Sequence, residues 1–247
     1  MFIATVWRLA VAMEKYFTMT NVTNAFIENV MSALSKKRKA FWSEADFQFA
    51  LSEMLKSKLG KSAKIYLERP VLATNQKDKY AVDIWIKMED RIYPIELKYA
   101  TKEAEIVDND NEHIFTSEQV AYDQIRFLYL YDIKRIEDIK NTFGAKFGKG
   151  YAIILTSDAN FYKLSRNPKG TLDESFRIHA DNENFNQTIQ WNNQDKQPNH
   201  WTKKQKPYNN IFTLQTKVNF CWKDYSVVKT EDDGKMLNYK YLINEIK

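Results

Sequence analysis

Two adjoining segments rich in β-branched and aromatic residues constrain this 247-residue chain more than any other feature. Segments 80–88 and 92–99 are both typical of β-strands, and a few polar residues separate them. If that connection is a two-residue loop, counting outward along the hairpin sets Asp83 opposite Glu96. Side chains alternate along a strand, so Lys98 lies on the same face as Glu96 and diagonal to Asp83. The sequence therefore predicts three charged side chains together on one face of a hairpin.

Two carboxylates in this position repel each other, because directly opposed residues have Cβ atoms about 5 Å apart. Either Lys98 neutralises one of them in an ordinary ion-pair cluster, or a divalent cation binds between them. An acidic residue, any residue and then Lys occurs five times in the chain, so the triplet alone is a weak signal. Only Glu96 lies in an apolar strand that follows another strand carrying an aspartate. This context favours the metal site.

Two helices are predicted before the hairpin. The first covers 21–34 and precedes a basic run that is either a solvated linker or a contact for nucleic-acid phosphate: Lys36, Lys37, Arg38 and Lys39. The second begins at Ser43, where Ser43 and Asp46 match a capping box, and ends at Leu59 before Gly60. Asp46 is therefore interpreted as a cap.

Glu44 stands out in the second helix because it falls in the middle of the apolar stripe. The helix N-terminus alone is one way to stabilise a carboxylate there.

The segments around the hairpin complete an α-β-β-β-α-β order. Segment 63–73 is predicted to be a strand, 101–117 an exposed acidic loop, 118–141 a long helix and 151–156 a strand buried on both faces. Glu68 in the first strand is interpreted either as an edge salt bridge or as a residue on the hairpin's charged side. Asp132 falls in the apolar stripe of the long helix, and an ion pair with Arg135 or Arg126 is the predicted way to bury it.

Asp83 followed by Pro94-Ile95-Glu96-Leu97-Lys98-Tyr99 resembles the PD-(D/E)XK nuclease superfamily, over about 43–158. Val82 stands where the motif usually has proline. The resemblance implies an α/β fold with a restriction-endonuclease-like core, a mixed central sheet flanked by helices, with N-terminal helical and C-terminal β-rich additions.

The resemblance also implies a set of site residues. Asp83 and Glu96 bind Mg²⁺, for which Mn²⁺ can substitute, together with the backbone carbonyl of Leu97 and with Glu44 assisting. Lys98 positions or deprotonates the attacking water or stabilises the developing negative charge. Secondary candidates are Glu68, and Gln119 and Tyr122 at a spacing one residue short of the pattern in some exonuclease branches.

Composition bounds the partners and the class of protein. Lys and Arg exceed Asp and Glu by 37 to 32, which favours a polyanionic partner only mildly. A single cysteine and three scattered histidines exclude an intramolecular disulfide and a zinc-ligand spacing, and fit a cytoplasmic location without a membrane span. From 181 to 210 the chain is rich in Asn, Gln and Lys, and is either a plain polar loop or a nucleic-acid contact through Trp201, Lys203, Lys204 and Lys206.

We expect one nuclease-like domain over 1–247, with a helical extension (1–42), a catalytic core (43–158) and a C-terminal elaboration (159–247) that adds strands. The expected function is Mg²⁺-dependent hydrolysis of a phosphodiester, most simply by a DNA endonuclease of restriction, defence or repair type. The alternatives are a catalytically idle DNA-binding or partner subunit on the same fold, and a plain interaction domain with a surface charge cluster. The sequence leaves monomer and homodimer open.

Overall fold

A computed structural model of the chain describes residues 22–72, 79–108, 111–165, 169–180, 182, 185–192, 202 and 205–247. The predictions for Trp201, Lys203, Lys204 and the first 21 residues lie outside these ranges. The helices are α1 (Asn24–Lys37), α2 (Glu44–Leu59), α3 (Tyr122–Phe143) and α4 (Ala159–Tyr162). The strands are β1 (Ala63–Val71), β2 (Tyr80–Met88), β3 (Arg91–Ala100), β4 (Ala104–Val107), β5 (His113–Thr116), β6 (Gly150–Thr156), β7 (Thr188–Ile189), β8 (Phe212–Thr213), β9 (Lys223–Lys229) and β10 (Met236–Ile246).

A six-stranded mixed sheet in the order β1-β2-β3-β6-β10-β9 forms the centre of the fold. β3 and β6 pair in parallel, and the other neighbours in this sheet pair antiparallel. A parallel pair needs a crossover connection, which α3 provides. All seven residues of β6 are buried, as predicted for a strand covered on both faces. The fold class is therefore mixed α/β.

Helices cover both faces of the sheet and define two apolar cores. One core joins α1 and α2 to side chains such as Ile84, Ile86, Ile95 and Leu97. The other joins α3 and the C-terminal segments to Val82, Trp85, Ala152 and Ile154. Ile84 and Trp85 alternate between the two cores as a strand requires, but Val82 packs on the same side as Trp85. The alternation of β2 therefore breaks next to Asp83.

The second helix begins as predicted. The Ser43 side chain caps α2 by accepting a hydrogen bond from the Asp46 backbone N–H, and Gly60 ends the helix with a φ of 67°. Asp46 does not return a bond to Ser43. It accepts the Trp42 N–H at 2.9 Å and forms a two-point ion pair with Arg38 at 2.7 and 2.8 Å. Arg38 of the basic run therefore holds the start of α2.

Two predictions about the stretch after β3 are wrong. Residues 101–117 are not a plain exposed loop, because β4 and β5 pair antiparallel within them and bury Ile106 and Ile114. The long helix begins at Tyr122 and not at 118, since the Gln119 backbone N–H is bonded to the Thr101 carbonyl in the preceding connection. Its predicted end at Gly144 is confirmed.

The C-terminal segments add strands to the sheet as predicted, because β10 pairs with β6 and β9 pairs with β10. Within the described ranges, none of the helices combines the length and the apolar composition that a membrane crossing requires.

Candidate metal and phosphate site

The β2–β3 hairpin has the predicted register. Glu89 and Asp90 form the two-residue turn, with Glu89 at a φ of 52°, and Met88 pairs with Arg91. The paired residues run back to Ile84 and Ile95, so the next position sets Asp83 opposite Glu96. There the ladder stops, and Asp83 Oδ2 instead accepts the Leu97 backbone N–H at 2.6 Å. The strands part where the two carboxylates lie.

Glu96 is the most deeply buried carboxylate of this region. Its side chain is 1% exposed, and neither carboxylate oxygen has a hydrogen-bond partner among the described residues. Arg135 Nη2 lies 3.3 Å from Glu96 Oε1. Burial, followed by repulsion from Asp132, raises the pKa of Glu96 well above its usual range. The charged form of Glu96 is therefore incompletely compensated.

Lys98 lies between the sheet and α3. Its Nζ is 2.8 Å from Asp132 Oδ2 and donates to the Leu97 carbonyl at 2.8 Å. Burial alone would lower the pKa of Lys98, but Asp132, Glu44 and Asp83 together raise it above its ordinary value. Lys98 is thus an ammonium at neutral pH.

Asp132 is the residue of α3 that links the two cations. Its second oxygen accepts from Arg135 Nη1 at 2.9 Å, and Arg135 also donates to the Ala81 carbonyl at 2.5 Å. The predicted pairing with Arg135 is confirmed and that with Arg126 is not, because Arg126 pairs with Asp173. Sequence reasoning missed the pairing with Lys98, which packing between α3 and β3 creates.

Glu44 reaches β3 from the first turn of α2, where its Oε2 accepts the Tyr99 backbone N–H at 2.8 Å. Burial raises the pKa of Glu44. Burial also raises the pKa of Asp83 to about 6, and repulsion from Asp132 and then from Glu44 adds to this rise. The helix N-terminus is therefore not the only partner of Glu44. We use the name acidic cluster for four carboxylates and two cations: Glu44, Asp83, Glu96, Asp132, Lys98 and Arg135.

Gln48 and Glu68 form a support behind Asp83. Gln48 Nε2 donates to the Asp83 carbonyl and to Glu68 Oε1, both at 2.6 Å. The register of β1 and β2 sets Glu68 opposite Asp83, and Glu68 adopts a φ of 50° there. Glu68 therefore lies at the edge of the acidic cluster and is exposed to solvent. Gln48, one turn after Glu44, was missed; its position on the same helix face was the only available signal.

The other secondary candidates lie apart from the acidic cluster. Gln119 is exposed and precedes α3. Tyr122 is the first residue of α3 and donates to Asp158 Oδ2 at 2.9 Å, a carboxylate 4.0 Å from Lys102 Nζ. Of the basic residues proposed for nucleic acid, Lys36, Lys37 and Arg38 lie at the junction of α1 and α2, with Lys39 beside them, and Lys206 lines a cleft next to Lys98.

The carboxylates of Asp83 and Glu96 are suitable ligands for a hard divalent cation such as Mg²⁺. No group of three or more acidic, histidine or cysteine side chains is gathered as a metal site in the part of the chain that is described. Mg²⁺, however, keeps several waters and is commonly bound by one or two carboxylates plus substrate phosphate. The unpartnered oxygens of Glu96, opposite Asp83, provide such a pair. Four carboxylates against two cations also leave negative charge for a cation to balance.

Comparisons with protein-family models, with curated proteins and with solved structures each return no match to this chain. The function of this chain is therefore inferred from the geometry of the acidic cluster itself.

Proposed function

We propose that the protein is a Mg²⁺-dependent nuclease that hydrolyses phosphodiester bonds in nucleic acid, with DNA as the expected substrate. One observation carries the proposal: two opposed carboxylates, the buried Glu96 and the half-buried Asp83, have raised pKa values beside the ammonium of Lys98. A structural ion-pair cluster has no need for surplus buried carboxylates, because burying an uncompensated charge is costly. A site that binds a divalent cation and a phosphate, in contrast, needs surplus carboxylates to hold the cation.

The residues of the chain take separate roles in this proposal. Asp83 and Glu96, with the Leu97 carbonyl, would hold the metal ion, and Glu44 would assist from α2. The bound ion would lower the pKa of a water molecule and stabilise charge on the phosphate oxygens. Lys98 is charged and has three N–H donors and no acceptor, so it stabilises the negative charge that develops on the phosphate and is not the base. Asp132 positions Lys98 through their 2.8 Å contact.

The experiment is cleavage of labelled single-stranded, duplex and plasmid DNA in Mg²⁺, Mn²⁺ or EDTA. We expect Asp83→Asn and Lys98→Met each to reduce the Mg²⁺-dependent rate by about 10²–10³-fold, the loss typical of removing one charge-stabilising group. Asp90→Asn and Lys87→Met are matched controls, because both residues are exposed on the same hairpin. They should cleave at the parent rate.

Cleavage by Asp83→Asn and Lys98→Met at the parent rate would show that the site assignment is wrong. Because Asp83 is only partly exposed, urea unfolding of each variant is measured beside cleavage, so that a loss of rate is not mistaken for a loss of fold.

A second candidate function is a nucleic-acid-binding subunit of the same fold without turnover. The observation that favours it is that Lys98 and Arg135 are both already paired with Asp132, which neutralises part of the acidic cluster. Titration calorimetry separates the two functions. Salt-dependent DNA binding with no heat from Mg²⁺ or Mn²⁺, and no cleavage, would establish the idle subunit.

A further inference from the structure

A cleft of about 800 Å³ opens beside the acidic cluster, between the start of β2, the middle of α3 and residues 206–212. Lys98, Asp132 and Arg135 line it, whereas Glu44, Asp83 and Glu96 do not. Through the cleft, a ligand reaches Lys98 and Arg135, whereas three of the four carboxylates of the acidic cluster lie outside its lining. The cleft therefore gives a ligand access to Lys98.

The lining of the cleft is cationic. Five basic side chains stand against the two carboxylates of Asp132 and Asp138: Lys79, Lys98, Lys134, Arg135 and Lys206. Lys98 and Arg135 contact Asp132, and Lys134 forms an ion pair with Asp138. Lys79 and Lys206 also line the cleft, and both are exposed to solvent. A ligand with more than one negative charge along its length matches this pattern.

Aromatic and apolar side chains form the remaining wall. The Arg135 guanidinium stacks 4.0 Å from the centre of the Tyr80 ring, and the rings of Tyr131 and Phe212 meet edge to face at 5.4 Å. Pockets of 300 to about 1,000 Å³ with apolar walls and a few polar groups hold drug-sized ligands, a size that includes one or two nucleotides. Cations beside an apolar wall suit a phosphate and its attached base.

The depth of Lys98 within the cleft favours a single strand over a duplex as the ligand. The Lys98 side chain is only 17% exposed, so a phosphate must enter the cleft to reach it. Duplex DNA is stiff, with a persistence length of about 150 base pairs, and its bases stay stacked inside the helix. A single strand bends at each nucleotide and can place one phosphate and one base in a narrow cleft.

We propose that this cleft binds single-stranded nucleic acid and delivers one phosphate to Lys98, so that the preferred substrate is a single strand or an unpaired end. This inference depends on the proposed function for the chemistry, but not for the binding. Binding is therefore measured in EDTA, where no hydrolysis takes place.

The experiment is fluorescence anisotropy with an oligothymidylate of about 12 nucleotides, its RNA counterpart and a blunt DNA duplex of the same length. We expect the full-length protein to bind one of the single strands about tenfold more tightly than the duplex, which is the effect of about one stacked base. Comparing the DNA strand with its RNA counterpart shows which of the two nucleic acids the cleft binds more tightly. Equal or tighter binding of the duplex would overturn the inference.

The test of the cleft itself is the double variant Lys79→Ala/Lys206→Ala. Each phosphate contact on a single strand contributes about 0.7 to the slope of log K against log[salt], so this variant should lower the slope by about 1.4. The matched control is Lys64→Ala/Lys87→Ala, which removes two exposed lysines paired across β1 and β2 outside the cleft and should leave the slope unchanged. Both variants change exposed side chains, and urea unfolding checks that they stay folded.

The failures of the two proposals are distinguishable. An unchanged slope in the Lys79→Ala/Lys206→Ala variant, or an equal fall in the control, would overturn the cleft whether or not the parent cleaves DNA. The protein could instead show the expected single-strand preference and salt slope but no cleavage. That result would support single-strand binding in the cleft and contradict the proposed nuclease activity.

Discussion

Two groups of buried charges are built on α3, and they are balanced in opposite ways. In the Asp173 cluster, defined as Arg126, Asp173 and Arg177, two cations share one carboxylate. Asp173 accepts from Arg126 through one oxygen and from Arg177 at 3.2 Å through the other, and Arg126 also donates to the Asn160 carbonyl at 2.7 Å. In the acidic cluster, four carboxylates share two cations, and Glu96 has two oxygens without hydrogen bonds.

The difference separates a structural ion pair from a candidate site. Both carboxylate oxygens of Asp173 are paired: Oδ2 holds the segment after α4 against Arg126 of α3, and Oδ1 pairs with Arg177 within the same segment. The acidic cluster instead keeps the carboxylates of Glu44, Asp83 and Glu96 at raised pKa, which is unfavourable for folding. Residues that weaken the folded state in this way are candidates for function. Three predictions test whether the contrast is real.

The largest expected effect is on stability, from Asp173→Asn. The change leaves two arginines of α3 and its partner segment without their carboxylate, so we expect the free energy of unfolding to fall by about 3–5 kcal/mol. Glu96→Gln is the matched variant in the acidic cluster; it removes surplus negative charge and should leave the free energy of unfolding in EDTA equal to or above that of the parent. Urea unfolding measures both. A larger loss for Glu96→Gln than for Asp173→Asn would reverse the contrast.

The second prediction concerns pH in the absence of metal. Asp83 has a pKa of about 6 in the folded protein against an ordinary value of 3.8, so the folded state holds more protons between these values. The free energy of unfolding therefore falls as pH rises through this window, by on the order of 3 kcal/mol for Asp83, and Glu44 and Glu96 act in the same direction. Urea unfolding in EDTA from about pH 4 to pH 8 should show this fall in the parent relative to Asp83→Asn.

Mg²⁺ should offset that fall, because a cation at the acidic cluster favours the ionised carboxylates. The rise in melting temperature on adding Mg²⁺ should accordingly be greater at about pH 8 than at about pH 5. Parallel pH curves for the parent and Asp83→Asn would mean that Asp83 titrates alike in the folded and unfolded chains.

The smallest expected effect is from Gln48→Met, which keeps the length of the side chain and removes its two hydrogen bonds to Asp83 and Glu68. We expect a loss of about 1–2 kcal/mol in the free energy of unfolding, since each such bond contributes about 1 kcal/mol. If Gln48 supports Asp83, the Mg²⁺-dependent rate should also fall, by about tenfold or less. A lower stability with an unchanged rate would restrict Gln48 to a packing role.

The parts of the site that sequence reasoning predicted correctly are local. The length of the turn at Glu89 and the alternation of β3 were enough to set Asp83 opposite Glu96, and Ser43 marked the start of α2. The contacts of Lys98 with Asp132 were not predictable in this way, because they require α3 to cross over the sheet. Lys98 and Asp132 are far apart in the sequence, and only tertiary packing brings them together.

The errors also have local causes. The residue before α3, Ala121, has no side chain that caps the helix, so no signal in the sequence marked its start and Gln119 was assigned to it. The four-residue strands β4 and β5 are too short for their alternation to stand out in an acidic stretch. Glu68 has a left-handed backbone conformation that a strand pattern does not predict.

The turn formed by Glu89 and Asp90 has a consequence for how this chain tolerates insertions. An exposed hairpin tip is ordinarily a permissive place for extra residues. Here the tip determines which side chains face each other five pairs away, so one added residue would shift β3 by one position and turn Glu96 and Lys98 towards the opposite side of the sheet. Two added residues would restore the parity. In this exposed turn, the number of residues is therefore fixed by the site that lies farther along the hairpin.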